Sequence, residues 1–149
     1  MMATMGLVHA DITLTNLADL DAQAAGVLTH RLRQEMVHVM VDTGALHLVI
    51  TPDMQSLLEL PVRSQVRSVL ANGQRVIANM VGPVELRFAN RSTICQALVI
   101  PGAEECLLGA IPMEGLDVVI DPSRQTLRVN PDSPDMPLAA LKGVPRIEA

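Results

Sequence analysis

The chain has 149 residues, 49% of them hydrophobic and 18% charged, which excludes a disordered chain and fits a single domain with its own core. The net charge is -5 with no basic run, which argues against nucleic acid as a partner, because phosphates are held by clustered Lys and Arg. No apolar stretch approaches the ~20 residues needed to cross a bilayer, and the opening MMATMGLVHAD lacks the charged and apolar regions of a signal peptide, so no membrane partner and a cytoplasmic location are expected.

In chain order, LVHADITL (residues 7–14) alternates imperfectly between apolar and polar, as a half-buried strand does. Residues 16–25, rich in Asp and Ala, fit either a loop or a short helix. Residues 33–41 and 46–50 read as two further strands. Thr51-Pro52-Asp53 then opens a short helix, with Thr as the cap, Pro in the first turn and Asp at the positive end of the dipole; it ends near Leu60-Pro61. Strands at 65–70 and 74–80 flank Asn72-Gly73, a strong tight-hairpin signal. Gly82-Pro83 is expected to break the chain. Strands at 84–89 and 92–100 flank a turn at Asn90-Arg91. Residues 106–108 form a short apolar strand stopped by Gly109, and residues 112–116 form a turn or two of helix. Strands at 118–120 and 126–129 flank a type I turn at Asp121-Pro122-Ser123-Arg124. Many short strands with turn signals and one or two short helices predict a mainly β, barrel-like domain over residues 1–130. Four prolines mark residues 131–149 as an irregular tail, with at most one helical turn around residues 138–141.

Residue types narrow the function further. Phe88 is the sole aromatic residue, so stacking on bases or sugars is hard to build, and the nine methionines are expected to fill core gaps instead. Cys95 and Cys106 are read as reduced, packed thiols. His9, His30, His38 and His47 are scattered without His-x-x-x-His spacing, and no Cys-x-x-Cys occurs, so no metal site is expected and the histidines read as exposed strand or loop residues, with His47 a minor candidate for a substrate subsite. Neither a serine nucleophile elbow nor a phosphate-cradling glycine loop is present. Glu104-Glu105 reads as a solvated turn, and Arg63, Arg67 and Arg75 as exposed on strands or on the rim of a cleft.

Within MVHVMVDTGALHLVI an apolar strand is interrupted at Asp42-Thr43-Gly44-Ala45 and then resumes. Asp-Thr-Gly after a strand makes a good turn by itself. Its setting adds meaning: a second apolar-apolar-Gly element, Leu107-Leu108-Gly109, follows some sixty-five residues later, with the Asn72-Gly73 hairpin between. VDTGA, LANGQRVIANMVGPVELRF and CLLGAIPMEGLDVVIDP together resemble the retropepsin-like aspartic proteases, above all the small stand-alone bacterial type, over roughly residues 6–131. The resemblance implies a closed β-barrel-like retropepsin fold, a symmetric homodimer, an extended peptide or protein substrate and no cofactor. It implies Asp42 as the catalytic carboxylate, one from each subunit. Thr43 would bond across the two-fold axis, Gly44 would place its N–H on the carboxylate, and Ala45 would leave room for substrate. Asn72 and Gly73 would form the tip of a flap, and Leu107, Leu108 and Gly109 would pack beneath the loop. Residues 117–129, with the N-terminal strand, are expected at the interface. Ile50, Val76, Ile77 and Leu108 are expected to face the cleft.

The chain departs from the retroviral pattern where those enzymes place an interfacial Asp–Arg pair: Leu46 and Ala110 stand there instead, an apolar substitute. The hairpin tip is less glycine-rich, and it has no counterpart to the flap Tyr of pepsin-like enzymes. Two other readings compete: a catalytically silent dimer that binds peptides or partners, and an unrelated β-barrel interaction module with Asp42 in an ordinary turn.

Overall fold

The computed structural model describes residues 7–139, and in it the apolar alternations become nine strands and three short helices. In chain order these are β1 (Val8–Asn16), α1 (Leu17–Ala24), β2 (Gln34–Val41), β3 (Leu48–Ile50), α2 (Pro52–Leu58), β4 (Val62–Val69), β5 (Arg75–Phe88), β6 (Arg91–Val99), β7 (Cys106–Leu108), α3 (Ala110–Leu116), β8 (Val118–Asp121) and β9 (Thr126–Val129). Six strands close a barrel in the order β1-β2-β7-β3-β6-β5 and back to β1. Strand β4 pairs only with β5, and β8 and β9 form a separate antiparallel hairpin. The mainly β barrel expected from the sequence is therefore present, with three short helices rather than one or two.

The inward faces fill the barrel with branched aliphatic side chains. Ile12, Leu14, Val39, Leu48, Ile50, Leu86 and Leu108 are almost wholly excluded from solvent. Full burial of each contributes about 1.5–3 kcal/mol. A second, smaller cluster of Val49, Ala78 and Leu98, with Val66, Met80, Ile100 and Leu107 against it, lies between the β4–β5 hairpin and the barrel wall. Met54 and Met80 pack against the two clusters, so the methionines do part of the expected core filling. Met113 is buried, but Met36 and Met136 are exposed.

The open question at residues 16–25 resolves as helix. The Asn16 side chain accepts from Asp19 N at 3.1 Å, capping α1, and donates to Leu58 O at 2.9 Å, which ties α1 to the end of α2. Buried Asp19 accepts from Arg33 N at 3.1 Å and so fastens the chain entering β2. The expected α2 start holds: Thr51 Oγ1 accepts from Met54 N at 3.2 Å, and Pro52 occupies the first turn.

Gly82-Pro83 does not break the chain. Strand β5 runs through it with a shift of register between Val81 and Val84. Before the shift β5 pairs with β4 up to Val62↔Val81; after it, residues from Val84 to Arg87 pair with β1. The bulge bends β5 so that one strand serves the hairpin and closes the barrel. The following turn lies at Ala89-Asn90, one residue earlier than expected, and Arg91 opens β6. The one-residue difference turns Arg91 inward, where it is 1% exposed.

The β4–β5 connection is a three-residue loop, 71–73, rather than a two-residue turn. Leu70 N donates to Gln74 O at 2.8 Å, Gly73 N donates to Leu70 O at 2.9 Å, and Gly73 takes φ 82°.

One carboxylate ties residues 130–138 of the proline-rich segment to the domain. Asp117, left-handed at the end of α3, accepts from Asn130 Nδ2 at 3.0 Å, from Ser133 Oγ, and from Leu138 N at 2.9 Å. Arg91 Nη2 donates to Ser133 O beneath the same segment. Residues 138 and 139 are not helical, and the rest of the expected helical turn lies outside the described residues.

Strand β7 leads into α3 at Gly109, whose missing side chain is required. A Cβ there would lie 2.7 Å from Ala45 O and closer still to His47 O. Backbone atoms cannot yield as a side-chain end can. Gly109→Ala is expected to cost about 3 kcal/mol, at the upper end for overpacking, read as a lowered urea midpoint; an unchanged midpoint would contradict this packing.

The hydrogen bonds from Asn130, then Ser133, then Leu138 lower the Asp117 pKa from 3.8 to about 2. The unfolded chain then binds the proton more readily, so this contribution to stability is present above about pH 4 and is lost as pH falls through about 2. Asp117→Asn is expected to flatten that acid limb of the stability curve and to speed amide exchange in residues 131–138. An unchanged acid limb would refute the assignment.

Candidate active site

The loop after β2 is held from below by the chain around Gly109. Parallel pairing sets Val39, Met40 and Val41 beside Cys106, Leu107 and Leu108. At the end of this ladder Asp42 N donates to Leu108 O at 3.0 Å. Ala45 N donates back to Asp42 O at 3.1 Å, closing the turn. Ala110 N donates to Ala45 O and Ile111 N to Leu46 O, each at 2.9 Å. The first residues of α3 thus continue the frame on the far side of the loop.

This frame places Asp42 half-buried, with a backbone donor on its carboxylate: Gly44 N lies 2.9 Å from Oδ1. A Cβ on Gly44 would approach that same oxygen to 3.1 Å, so glycine permits the close approach. Thr43 is exposed at the loop tip and Ala45 is half-buried. Leu108 is fully buried under the loop, whereas Leu107 points the other way, into a cleft.

That cleft has a volume of about 500 Å³. Asp42, Gly44, Ala45, Leu46 and His47 form one side, and Ser68, Val69, Leu70 and Ala71 of the β4–β5 hairpin the other; Val49, Leu98, Ile100 and Leu107 make its floor. Asn72 and Gly73 lie just beyond the hairpin residues that line it. Asp42 and His47 are the titratable groups among the lining residues, so charge in the cleft is confined to the loop.

The expected cleft residues require correction. Ile50 and Leu108 belong to the barrel core, both at 0% exposure, and Val76 and Ile77 do not line the cleft. Side chains alternate along a strand, so the lining positions in β3 and β7 are the neighbours Val49 and Leu107. Arg63, Arg67 and Arg75 are exposed, as expected, and none lines this cleft.

The histidines are less scattered in space than in sequence. His9 and His38 stack with ring centroids 5.0 Å apart and planes within 5°. His9 Nε2 lies 3.2 Å from Glu105 Oε1, and His38 Nδ1 lies 2.8 Å from Asp11 Oδ1. Glu105 is thus a partner for His9 as well as a turn residue. The β1–β2 register, which sets Asp11 opposite His38, makes this array, and only the pairing of the strands discloses it. Arg91 was also missed, since nothing local marks a buried arginine; its Nε and Nη1 lack partners.

No group of three or more His, Cys, Asp or Glu among the described residues is placed to hold a metal ion. Cys95 and Cys106 are both free. Burial pushes the Cys95 thiol up to about 11 and raises that of Cys106, so neither is a ready nucleophile. No helix among the described residues is long and apolar enough to cross a membrane.

Among curated proteins none matches the chain. The family model described as aspartyl protease matches residues 28–111. That span contains the Asp42 loop, the β4–β5 hairpin and residues 107–109, and it covers more than half of the sequence. The chain belongs to the aspartyl protease family.

Proposed function

We propose that the protein is an aspartic endopeptidase, active as a homodimer in which two copies of Asp42 share one water. The observation that carries this reading is the Asp42 carboxylate, fixed by the Gly44 N–H at the edge of an apolar cleft, in an aspartyl protease chain with a single Asp-Thr-Gly. Hydrolysis without a covalent intermediate needs a base and an acid together. Two adjacent carboxylates supply both, because like charges so close do not both ionise readily.

The ionised Asp42 takes a proton from water as the water oxygen attacks the scissile carbonyl carbon. The protonated Asp42 of the second subunit gives its proton to the carbonyl oxygen. As the tetrahedral adduct collapses, the C–N bond breaks, its electron pair goes to nitrogen, and a carboxyl proton passes to the leaving amine. Asp42 is the catalytic residue in this scheme. Gly44 orients its carboxylate, and the exposed Thr43 hydroxyl is free to bond to the opposite loop.

Two features support a second copy beside the loop. Leu46 is 58% exposed and Ile111 45%, and the two are joined through the Ile111 N–Leu46 O hydrogen bond. These apolar side chains flank Asp42 where an axis would bring two loops together, and a C2 contact would bury each against its symmetry mate. The β4–β5 hairpin, with Asn72 and Gly73 at its tip, acts as the flap over an extended peptide, and an apolar floor suits aliphatic side chains. Residues 117–129 are a further candidate for the contact between subunits.

Cleavage of a peptide library by the full chain, with Asp42→Asn as control, tests this function. The substitution is expected to leave the fold intact and to lower kcat by roughly 10³-fold, the scale of lost acid–base catalysis. Cleavage retained by Asp42→Asn would overturn the assignment. A wild-type dimer that binds peptides and never cuts them would leave a silent binding module.

A further inference from the structure

Three of the four histidines have a carboxylate within their own chain. His9 lies 3.2 Å from Glu105, His30 lies 3.6 Å from Asp19, and His38 lies 2.8 Å from Asp11. His47 has no side-chain hydrogen bond or ion pair among the described residues, yet it is half-buried and lines the Asp42 cleft. Its backbone is the part of the loop that lies hard against Gly109, and the next residue begins β3. The imidazole is therefore carried by a rigid element and left without a partner.

Its surroundings define what partner it can take. On the cleft side the other titratable group is Asp42, whose Oδ1 is already engaged by Gly44 N. On its other side His47 borders a second hollow of about 440 Å³, formed with Ser64, Val66, Met80, Cys95 and Ile111. The titratable group there is the Cys95 thiol, which burial keeps neutral. No lysine or arginine lines either concavity. His47 is thus the one basic residue lining a groove whose remaining lining is apolar or uncharged, apart from Asp42.

We propose that His47 is a specificity-determining residue that reads an acidic side chain, Asp or Glu, in the peptide bound along this cleft. This rests on the endopeptidase reading of the same site. The peptide carboxylate supplies the acceptor that the other three histidines find within the chain, and the charge-assisted bond stabilises the complex. Two-fold symmetry sets a second His47 at the mirrored subsite, so acidic residues are favoured at matching distances on both sides of the scissile bond.

The test compares peptides that carry Glu or Gln at each position in turn, cleaved by wild type, His47→Gln and His47→Arg. At one or more positions the wild-type kcat/KM is expected to favour Glu about tenfold. His47→Gln should abolish the Glu preference, while His47→Arg should keep it, because guanidinium supplies both the positive charge and the donors that a carboxylate takes. A Glu-to-Gln ratio near one at every position, or a ratio unmoved by His47→Gln, would overturn the proposal and leave the endopeptidase reading standing. If nothing is cleaved, that reading fails. Binding of the same peptides to the Asp42→Asn chain, followed by fluorescence anisotropy with and without His47→Gln, then decides the His47 question by itself. An unmoved ratio, or binding of no peptide, refutes it.

Discussion

The hydrogen bond from Asp42 N to Leu108 O ends one ladder and begins another, and the geometry of the site depends on that junction. Below it, β2 and β7 run parallel in the barrel wall. Beyond it, Ala110 and Ile111 donate their backbone N–H groups to two carbonyls of the Asp42 loop, those of Ala45 and Leu46. A side chain at residue 109 would push the loop off this support, so a glycine in the second element fixes where the first element's carboxylate stands. The carboxylate is located by backbone atoms of a distant segment and needs no side-chain salt bridge to hold it. This suits a group whose proposed chemistry requires it to change protonation state.

The bulge in β5 does the corresponding work for the opposite wall of the cleft. One strand hands its edge from β4 to β1 within a few residues, which closes the barrel and leaves the β4–β5 hairpin projecting from it. The hairpin's inner face is packed through Val66, Ala78 and Met80 against Val49 and Leu98. Its base is therefore anchored to the cleft floor, and its tip is free of the barrel ladder. An anchored base and a free tip suit the flap role proposed for this hairpin.

Much of this was legible in the residues. Asp42-Thr43-Gly44 and Leu107-Leu108-Gly109 carry their own signals, and Thr51-Pro52 announces α2. What was missed depends on neighbours remote in sequence. Gly82-Pro83 reads locally as a break; it is a bulge because two different strands need the two halves of β5. Asn90-Arg91 reads locally as the turn, yet the turn falls one residue earlier and the Arg91 side chain is buried beneath Ser133. The tail at 131–139 contains prolines and no periodicity, so its attachment to Asp117 shows only in the fold. Ile50 and Leu108 were assigned to the cleft by hydrophobicity alone. In strands of three residues parity decides which face a side chain takes, and residue type does not fix parity.

In the proposed enzyme each active site is built from two chains, each contributing one Asp42. Co-refolding wild type with Asp42→Asn at a fixed total concentration and following peptide cleavage tests it most directly. If both carboxylates are needed, activity falls as the square of the wild-type fraction, and an equimolar mixture retains about one quarter of the undiluted activity. Retention of about one half, a linear fall, would mean that a single chain suffices, and would contradict the account.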